Sequence, residues 1–248
     1  MKIDLNCDLG ESFGRYRLGD DEAVMPFITS ASIACGFHAG DALVMQRTIR
    51  LAKKYSVAVG AHPGWNDLQG FGRREMKVPA EETEALVLYQ IAALAGFAKV
   101  EGMELQHVKP HGAMYNQAAR DRVLADAIAR AVKAFSTDLI LVGLAGSSLI
   151  EAGTEIGLRV ANEGFPDRNY NPDGTLVPRQ KANAILESPQ EVARHAAALV
   201  KDGIDFSGRR VRLDTLCLHG DNAAAAQNAK LIRDVLAQDH VSVEALET

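Results

Sequence analysis

Short apolar runs recur along the chain, each followed by a longer stretch whose apolar residues return every three or four positions. The short runs predict strands at 2–7, 31–36, 57–62, 105–110, 139–144, 158–163 and 213–218, with a weaker candidate at 183–187. The longer stretches predict helices at 41–55, 80–101, 119–135, 146–156, 189–202 and 222–237. Local signals mark helix starts: Ser188-Pro189-Gln190-Glu191 is a capping box with proline at the first helical position. Pro79 precedes Glu81 and Glu82, acids suited to the positive end of a helix dipole. Strand–helix alternation with right-handed crossovers makes a parallel sheet, open or closed into a (β/α) barrel. The reading is an α/β fold in one domain spanning 1–248.

Two stretches break this rhythm. Residues 63–78 and 164–181 are long, rich in Gly, Pro, Asn and Asp, and each directly follows a strand. Loops of that length within a folded unit are usually functional.

Alternation within the strands shows where polar side chains point. In the first strand Asp4, Asn6 and Asp8 share one face while Ile3, Leu5 and Cys7 share the other. His107, Lys109 and His111 share a face of the fourth strand, and Ala58, Gly60 and His62 a face of the third. Branched apolar side chains fill a purely structural barrel lumen, so these polar and small inward faces predict a pocket reaching into the barrel.

Composition adds mainly exclusions. The 248 residues are 47% hydrophobic and 24% charged, a globular balance rather than a disordered one. A net charge of −5 with scattered basic residues argues against a nucleic-acid or anionic-membrane partner. No window approaches 18 uninterrupted apolar residues, and the start has no apolar leader core, so no membrane span and a cytoplasmic location are expected. Cys7, Cys35 and Cys217 are odd in number, far apart and set in apolar runs, which predicts reduced, buried thiols.

The candidate chemistry gathers at strand ends, where ligands bind in α/β folds. His38, His62, His111 and His219 each lie at or just past a predicted strand and are followed within two residues by glycine. Chance would place roughly one of seven histidines at such positions, given end-windows of about three residues on about eight strands. Carboxylates and imidazoles together hold a divalent cation or act as general acid and base near neutral pH, and Asp8, His38 and His62 are the candidate metal ligands. Lys109 offers a point charge for an oxyanion or phosphate and Glu163 a further carboxylate. Arg73, Arg74, Arg168 and Arg179 in the long loops offer anion clamps, or are simply solvated surface charges. Asp41 and Asp221 read equally as site residues or as helix N-caps. His195 and His240 carry no role, and Trp65 and Phe71 either wall a pocket or cap a helix. The chain has no phosphate-binding P-loop, no Gly-x-Gly-x-x-Gly fingerprint and no Gly-x-Ser-x-Gly elbow.

Seven segments, DLNCDLGES (4–12), IACGFHAGD (33–41), GAHPGWNDLQGFGRR (60–74), VKPHGAMYN (108–116), NEGFPDRNY (162–170), DGTLVPR (173–179) and CLHGD (217–221), together resemble the LamB/YcsF family in order and spacing over nearly the whole chain. Ala42, Asn66 and the Asn222-Ala223 step depart from the family pattern at turns and helix starts. The resemblance implies a (β/α) barrel of about seven parallel strands, glycoside hydrolase/deacetylase-like. It implies ATP-dependent hydrolysis of 5-oxo-L-proline (pyroglutamate) to L-glutamate with separate 5-oxoprolinase subunits B and C, ATP as cofactor and Mg²⁺ as a candidate divalent metal. On the matching motifs it places Asp8, His38, His62, Lys109, His111, Glu163 and His219 in a catalytic set, and Asn6, Asp41, Arg73, Arg168 and Arg179 around substrate or phosphate. Two other readings stay open: a stand-alone metal-dependent deacetylase or amidohydrolase, and a non-catalytic, substrate-binding member of the complex.

Overall fold

Each strand turns one row of side chains into a lumen and the other beneath helices, so parallel strands with two buried faces close most stably on themselves. The computed structural model, which describes residues 1–206, 208–222 and 224–247, takes that solution. Strands β1 (Lys2–Leu9), β2 (Ser30–Ala34), β3 (Ala58–His62), β4 (Leu105–Val108), β5 (Ile140–Leu144) and β6 (Arg159–Gly164) lie side by side in chain order. Strands β7 (Ile204–Phe206) and β8 (Arg209–Val211) form a separate antiparallel hairpin. Strand β9 (Thr215–His219) then pairs in parallel with both β6 and β1, closing a seven-stranded barrel. The short β10 (Ser242–Val243) joins the first residues of β1 at the opposite end.

The outward residues Leu5, Ile33, Val59, Val108, Leu141 and Leu216 make one apolar core with the flanking helices. Those helices are α1 (Asp21–Val24), α2 (Ala42–Tyr55), α3 (Ala80–Val100), α4 (Gly112–Ala118), α5 (Arg122–Phe135), α6 (Ser148–Glu155), α7 (Pro189–Asp202) and α8 (Ala225–Gln238). By length and composition α3 is apolar enough to cross a bilayer. In the fold it lies along the barrel, with Val87, Ile91, Leu94 and Ala98 in the core.

The inward row is polar, as the alternation predicts, but most of it is filled rather than hollow. Asp4 accepts hydrogen bonds from Thr29, Ser30 and Thr215, and the His107 ring crosses the lumen to within 3.2 Å of the Ser32 hydroxyl. The small residue at Gly60 makes room for that ring, since a Cβ there would lie 2.2 Å from it. The pocket therefore begins above His107.

Four further sequence expectations are revised. Residues 183–187 form no strand, because the segment folds into the long loop after β6, where Ile185 makes a single bridge to Arg168. The helix expected at 119–135 starts at Arg122, where Asp121 accepts from the Val123 and Leu124 amides, and a separate α4 precedes it. The helix expected at 146–156 is confined to Ser148–Glu155. The helix expected at 222–237 starts at Ala225, and Ala223 within that span lies outside the described residues. All three cysteines are buried free thiols, as expected.

Candidate active site

The loops at the carboxyl ends of the barrel strands bring three groups of side chains together. The first follows β1 to β4. Gly10 turns the chain out of β1 at φ 69°, and Glu11 then reaches 3.4 Å from His38 Nε2 and 3.5 Å from His111 Nδ1. His62 Nε2 lies 3.0 Å from His111 Nδ1, and the His38 and His111 rings stack 3.7 Å apart. Phe71 packs its ring edge-on against both, so it covers the cluster. Glycine is needed at 64 because a Cβ there would lie 2.7 Å from His38 Nδ1. All four polar side chains are buried, and their ligand atoms fall within 4.8 Å of one another.

Hydrogen bonds fix the tautomers in this cluster. His62 Nδ1 is 2.6 Å from the Lys109 carbonyl, and His111 Nε2 is 2.8 Å from the Phe71 carbonyl. A carbonyl only accepts, so both of those nitrogens carry the proton. The opposite nitrogens, His62 Nε2 and His111 Nδ1, then face each other with lone pairs. Glu11 Oε1 and both His38 nitrogens have no hydrogen-bond partner among the described residues. Burial, reinforced by neighbouring imidazoles, pushes the pKa values of His38 and His111 well down, keeping them neutral. Burial and the Asp8 charge push the Glu11 carboxyl well up. Converging lone pairs with no donor between them are the electronic arrangement of an electrophile site, and imidazoles anchored through backbone carbonyls are typical of metal ligands.

The second group is a buried ion network. Lys109 Nζ reaches Asp8 at 2.5 Å, Asn6 at 2.8 Å, Glu163 at 3.1 Å and the Cys217 sulfur at 3.1 Å. Burial alone would raise Asp8 and lower Lys109; instead the His62 ring 3.4 Å away and the Lys109 ammonium hold Asp8 well below the usual carboxylate range, and Asp8 and Glu163 hold Lys109 well above its own. Asn6 supports this network from beneath, donating to Glu163 and Thr215. The third group pairs His219 Nδ1 with Asp167 Oδ2 at 2.7 Å. Register places His219 directly beside Asp8. Despite burial, the His219 partner keeps Asp167 below the usual carboxylate range. His219 thus presents its remaining nitrogen, Nε2, away from Asp167.

A cavity of about 400 Å³ is lined by Asp8, His62, Lys109, His111, Glu163 and His219, with Tyr115, Phe165 and four arginines around them, of which Arg120 pairs with Glu75. The arginines differ in what they already hold. Arg73 pairs with Asp221 at 2.6 Å and stacks over Phe71. Arg168 is buried and donates to the Ala184 and Val177 carbonyls, which ties the loop after β6 together. Arg179 lines the cavity and makes no hydrogen bond or ion pair among the described residues.

Of the residues expected in the site, Asp41 stands outside the cavity lining, because its carboxylate caps α2 and accepts from the Gly14 amide. Asn6 lies below the cavity floor and His38 behind His111, neither among the lining residues. Arg74 pairs with Asp67 outside the lining. His195 donates to the Pro166 carbonyl and has a positioning role in the loop. Trp65 is buried with its indole N–H on Gln117. Sequence reasoning missed Glu11, Asp167 and Tyr115. Glu11 stands three residues after Asp8 in the DLNCDLGES segment, so its nearness to a strand end was the available signal.

The LamB/YcsF family profile matches residues 3–248. The 5-oxoprolinase A subunit of Pyrococcus furiosus is 54% identical over 247 residues, covering 98% of this chain and 97% of that one. A crystal structure of a lactam utilization protein from Thermus thermophilus superposes with a TM-score of 0.91 at 47% identity, covering 99% of this chain and all of the other. The catalytic domain of a peptidoglycan N-acetylglucosamine deacetylase from Eubacterium rectale, 11% identical, reaches a TM-score of 0.53 over 99% of this chain and 88% of its own, a likeness of fold alone. With the match running from the first strand to the C-terminal tail and the closed seven-stranded barrel in place, the chain belongs to the LamB/YcsF family.

Proposed function

We propose that this chain is the A subunit of an ATP-dependent 5-oxoprolinase and carries the hydrolytic pocket for 5-oxo-L-proline, working with separate B and C subunits. The observation that carries the reading is the cavity at the strand ends, where a buried imidazole–carboxylate cluster, an Asp8–Lys109 ion pair and an Asp167–His219 pair meet. Full-length relatives that bear the name of the 5-oxoprolinase A subunit support the substrate. A five-membered lactam is a stable amide, and phosphorylation of its carbonyl oxygen at the expense of ATP makes the carbon electrophilic before water attacks. The balanced reaction converts 5-oxoproline, ATP and two waters into glutamate, ADP and phosphate.

Glu11, His38, His62 and His111 are the residues that would hold a divalent cation, since their lone pairs converge without a donor between them. Asp8, the other candidate ligand, pairs through Oδ1 with Lys109 and keeps Oδ2 3.4 Å from His62 Nε2 at the edge of this cluster. Three imidazoles and one carboxylate suit Zn²⁺ or another first-row transition metal rather than Mg²⁺, which prefers oxygen ligands and enters with ATP. A cation there would polarise a carbonyl or acidify a water. His219, oriented by Asp167, delivers a proton from Nε2 to the leaving ring nitrogen, which becomes the amine of glutamate. Lys109 keeps Asp8 ionised and holds Glu163 beside it on the cavity floor.

Two measurements test this. The chain combined with its B and C partners, ATP and Mg²⁺ is expected to release glutamate and ADP in equal amounts from 5-oxoproline. No turnover with every component present would end the proposal, and ATP-independent amide hydrolysis by the chain alone would favour the amidohydrolase reading. Mass spectrometry of the purified chain is expected to find about one transition-metal ion per chain, lost in His62→Ala and Glu11→Gln, as removal of a ligand predicts. Metal-free wild-type protein with full activity would remove the cation from the mechanism.

A further inference from the structure

The cavity contains two kinds of unmet demand, at different walls. On the floor, Glu163 is fully buried, and its Oε1 receives Asn6 at 2.9 Å and Lys109 at 3.1 Å. Its other oxygen, Oε2, is buried and accepts nothing among the described residues. The Tyr115 hydroxyl is also buried and without a hydrogen-bond partner among the described residues, and burial together with Glu163 beside it pushes its pKa well up. A buried carboxylate oxygen without a donor is costly, and both side chains line the cavity. In the wall formed by the loop after β6, Arg179 is the one lining arginine without a hydrogen-bonded or ion-paired partner among the described residues, since Arg73 holds Asp221, Arg120 holds Glu75 and Arg168 holds two carbonyls. Burial, with Arg73 nearby, disfavours its charge, so an anion placed there is stabilised. Between these walls lie Leu144 and Phe165, an apolar surface for a ring.

We infer that the cavity selects a small ring carrying a carboxylate at one end and an N–H donor at the other, with Arg179 anchoring the carboxylate and Glu163 Oε2, beside Tyr115, accepting the N–H. The inference rests on the lactam reading above and specifies which atoms do the selecting. A guanidinium binds a carboxylate in a two-pronged, charge-assisted contact. A carboxylate accepts an N–H but repels a ring oxygen at the same place, so the site discriminates by leaving mismatched ligands with an unpaired or opposed buried group. Neutral lactams lose the first contact, and lactones of the same shape lose the second.

Calorimetric titration of the full chain with three ligands tests both halves: 5-oxoproline, 2-pyrrolidinone, which lacks the carboxylate, and 5-oxotetrahydrofuran-2-carboxylate, in which oxygen replaces the N–H. The wild type is expected to bind each analogue about 10- to 100-fold more weakly than 5-oxoproline, the range for one charge-assisted hydrogen bond. Arg179→Met should erase the preference over 2-pyrrolidinone while keeping the preference over the lactone. Glu163→Gln, which turns an acceptor into a group that can donate, should do the reverse. The wild-type comparison of lactam with lactone needs no variant, so it decides the Glu163 half even where Glu163→Gln fails to fold. Equal binding of either analogue by the wild type, or an Arg179→Met protein that keeps the carboxylate preference, overturns the inference while leaving the lactam reading intact. Failure of the wild type to bind any of the three overturns both.

Discussion

Gly60 faces the barrel lumen, where a methyl group would lie 2.2 Å from the His107 ring. That ring is held by Ser32 on one side and Gln106 on the other, so it has nowhere to retreat. Gly60→Ala is therefore expected to lower the unfolding free energy by about 3 kcal/mol, the upper part of the range for overpacking. Denaturant titration reads it, and an unchanged midpoint would mean that the ring is not fixed. His107 also makes a pH prediction. Burial, with the Lys109 charge, lowers its pKa from 6.5 to about 3. Between those values the unfolded chain binds a proton that the folded chain does not, so stability is lost as pH falls through 6.5 toward 3. His107→Gln should flatten that acid slope by up to about 1.4 kcal/mol per pH unit. A slope matching the wild type across this window would show that His107 titrates normally. Period-two alternation was enough to place His107, Lys109 and the Asp4–Asn6–Asp8 row inside the barrel. It was not enough to show that the space left by Gly60 belongs to His107, because filling depends on which ring reaches across from the next strand. Glu11 and Asp167 escaped for a related reason: both lie in loops, where no period governs direction and only tertiary contacts bring a carboxylate to a histidine.

The long segment after β6 was legible as functional from its length and its Gly, Pro and Asn content, and illegible in its internal structure. Its Ala184-Ile185-Leu186 run has the apolar character of a strand, yet the barrel already has its seven ladders and leaves that run no edge to join. The segment folds on itself instead. Arg168 bridges to the Val177 and Ala184 carbonyls, and the Tyr170 hydroxyl accepts from the Phe165 amide at 2.6 Å. This inner scaffold supports Asp167, which orients His219, and Arg179, which faces the cavity. Arg168→Met leaves the Val177 carbonyl unpaired and the Ala184 carbonyl with the Asn169 amide alone, and should cost about 2–4 kcal/mol of local order. Limited proteolysis within 168–186 is expected to speed up at least tenfold while the barrel stays resistant. Cleavage at the wild-type rate would show that the segment is held by other contacts. α4 was missed because its seven residues are too few for a helical period to show, and the helix expected from 119 begins only after the Asp121 cap.

At the scale of the whole molecule the barrel has unequal ends: loops build a cavity at the carboxyl end, and the chain's own tail closes the other. After β10 pairs with the start of β1, Leu246 packs on the inward Ile140, Val142 and Ala161. The Leu246 carbonyl accepts from Gln106 Nε2 at 2.8 Å. Gln106 meets His107, and His107 meets Ser32, so a hydrogen-bonded line runs from the tail into the lumen beneath Lys109. Closure matters because Asp4, Thr215 and His107 are buried polar groups satisfied by protein partners, Thr29 and Ser30, Asn6, and Ser32 and Gln106 respectively, and water entering from below would compete for each. The exposed pairs of Lys2 with Glu244 and Glu247 contribute little by comparison. A chain ending at Val243 loses the Leu246 plug and the Gln106 bond, together about 3 kcal/mol, which for a protein of this size is roughly 6–12 °C of melting temperature. Leu246→Ala alone should give somewhat more than half of that shift. Both variants are expected to keep the wild-type order of affinity among the three ring ligands, because the selecting atoms lie at the other end. A truncated chain that melts with the wild type would mean the polar lumen needs no seal, and one that loses ligand selectivity would mean the two ends are coupled through the His107 line.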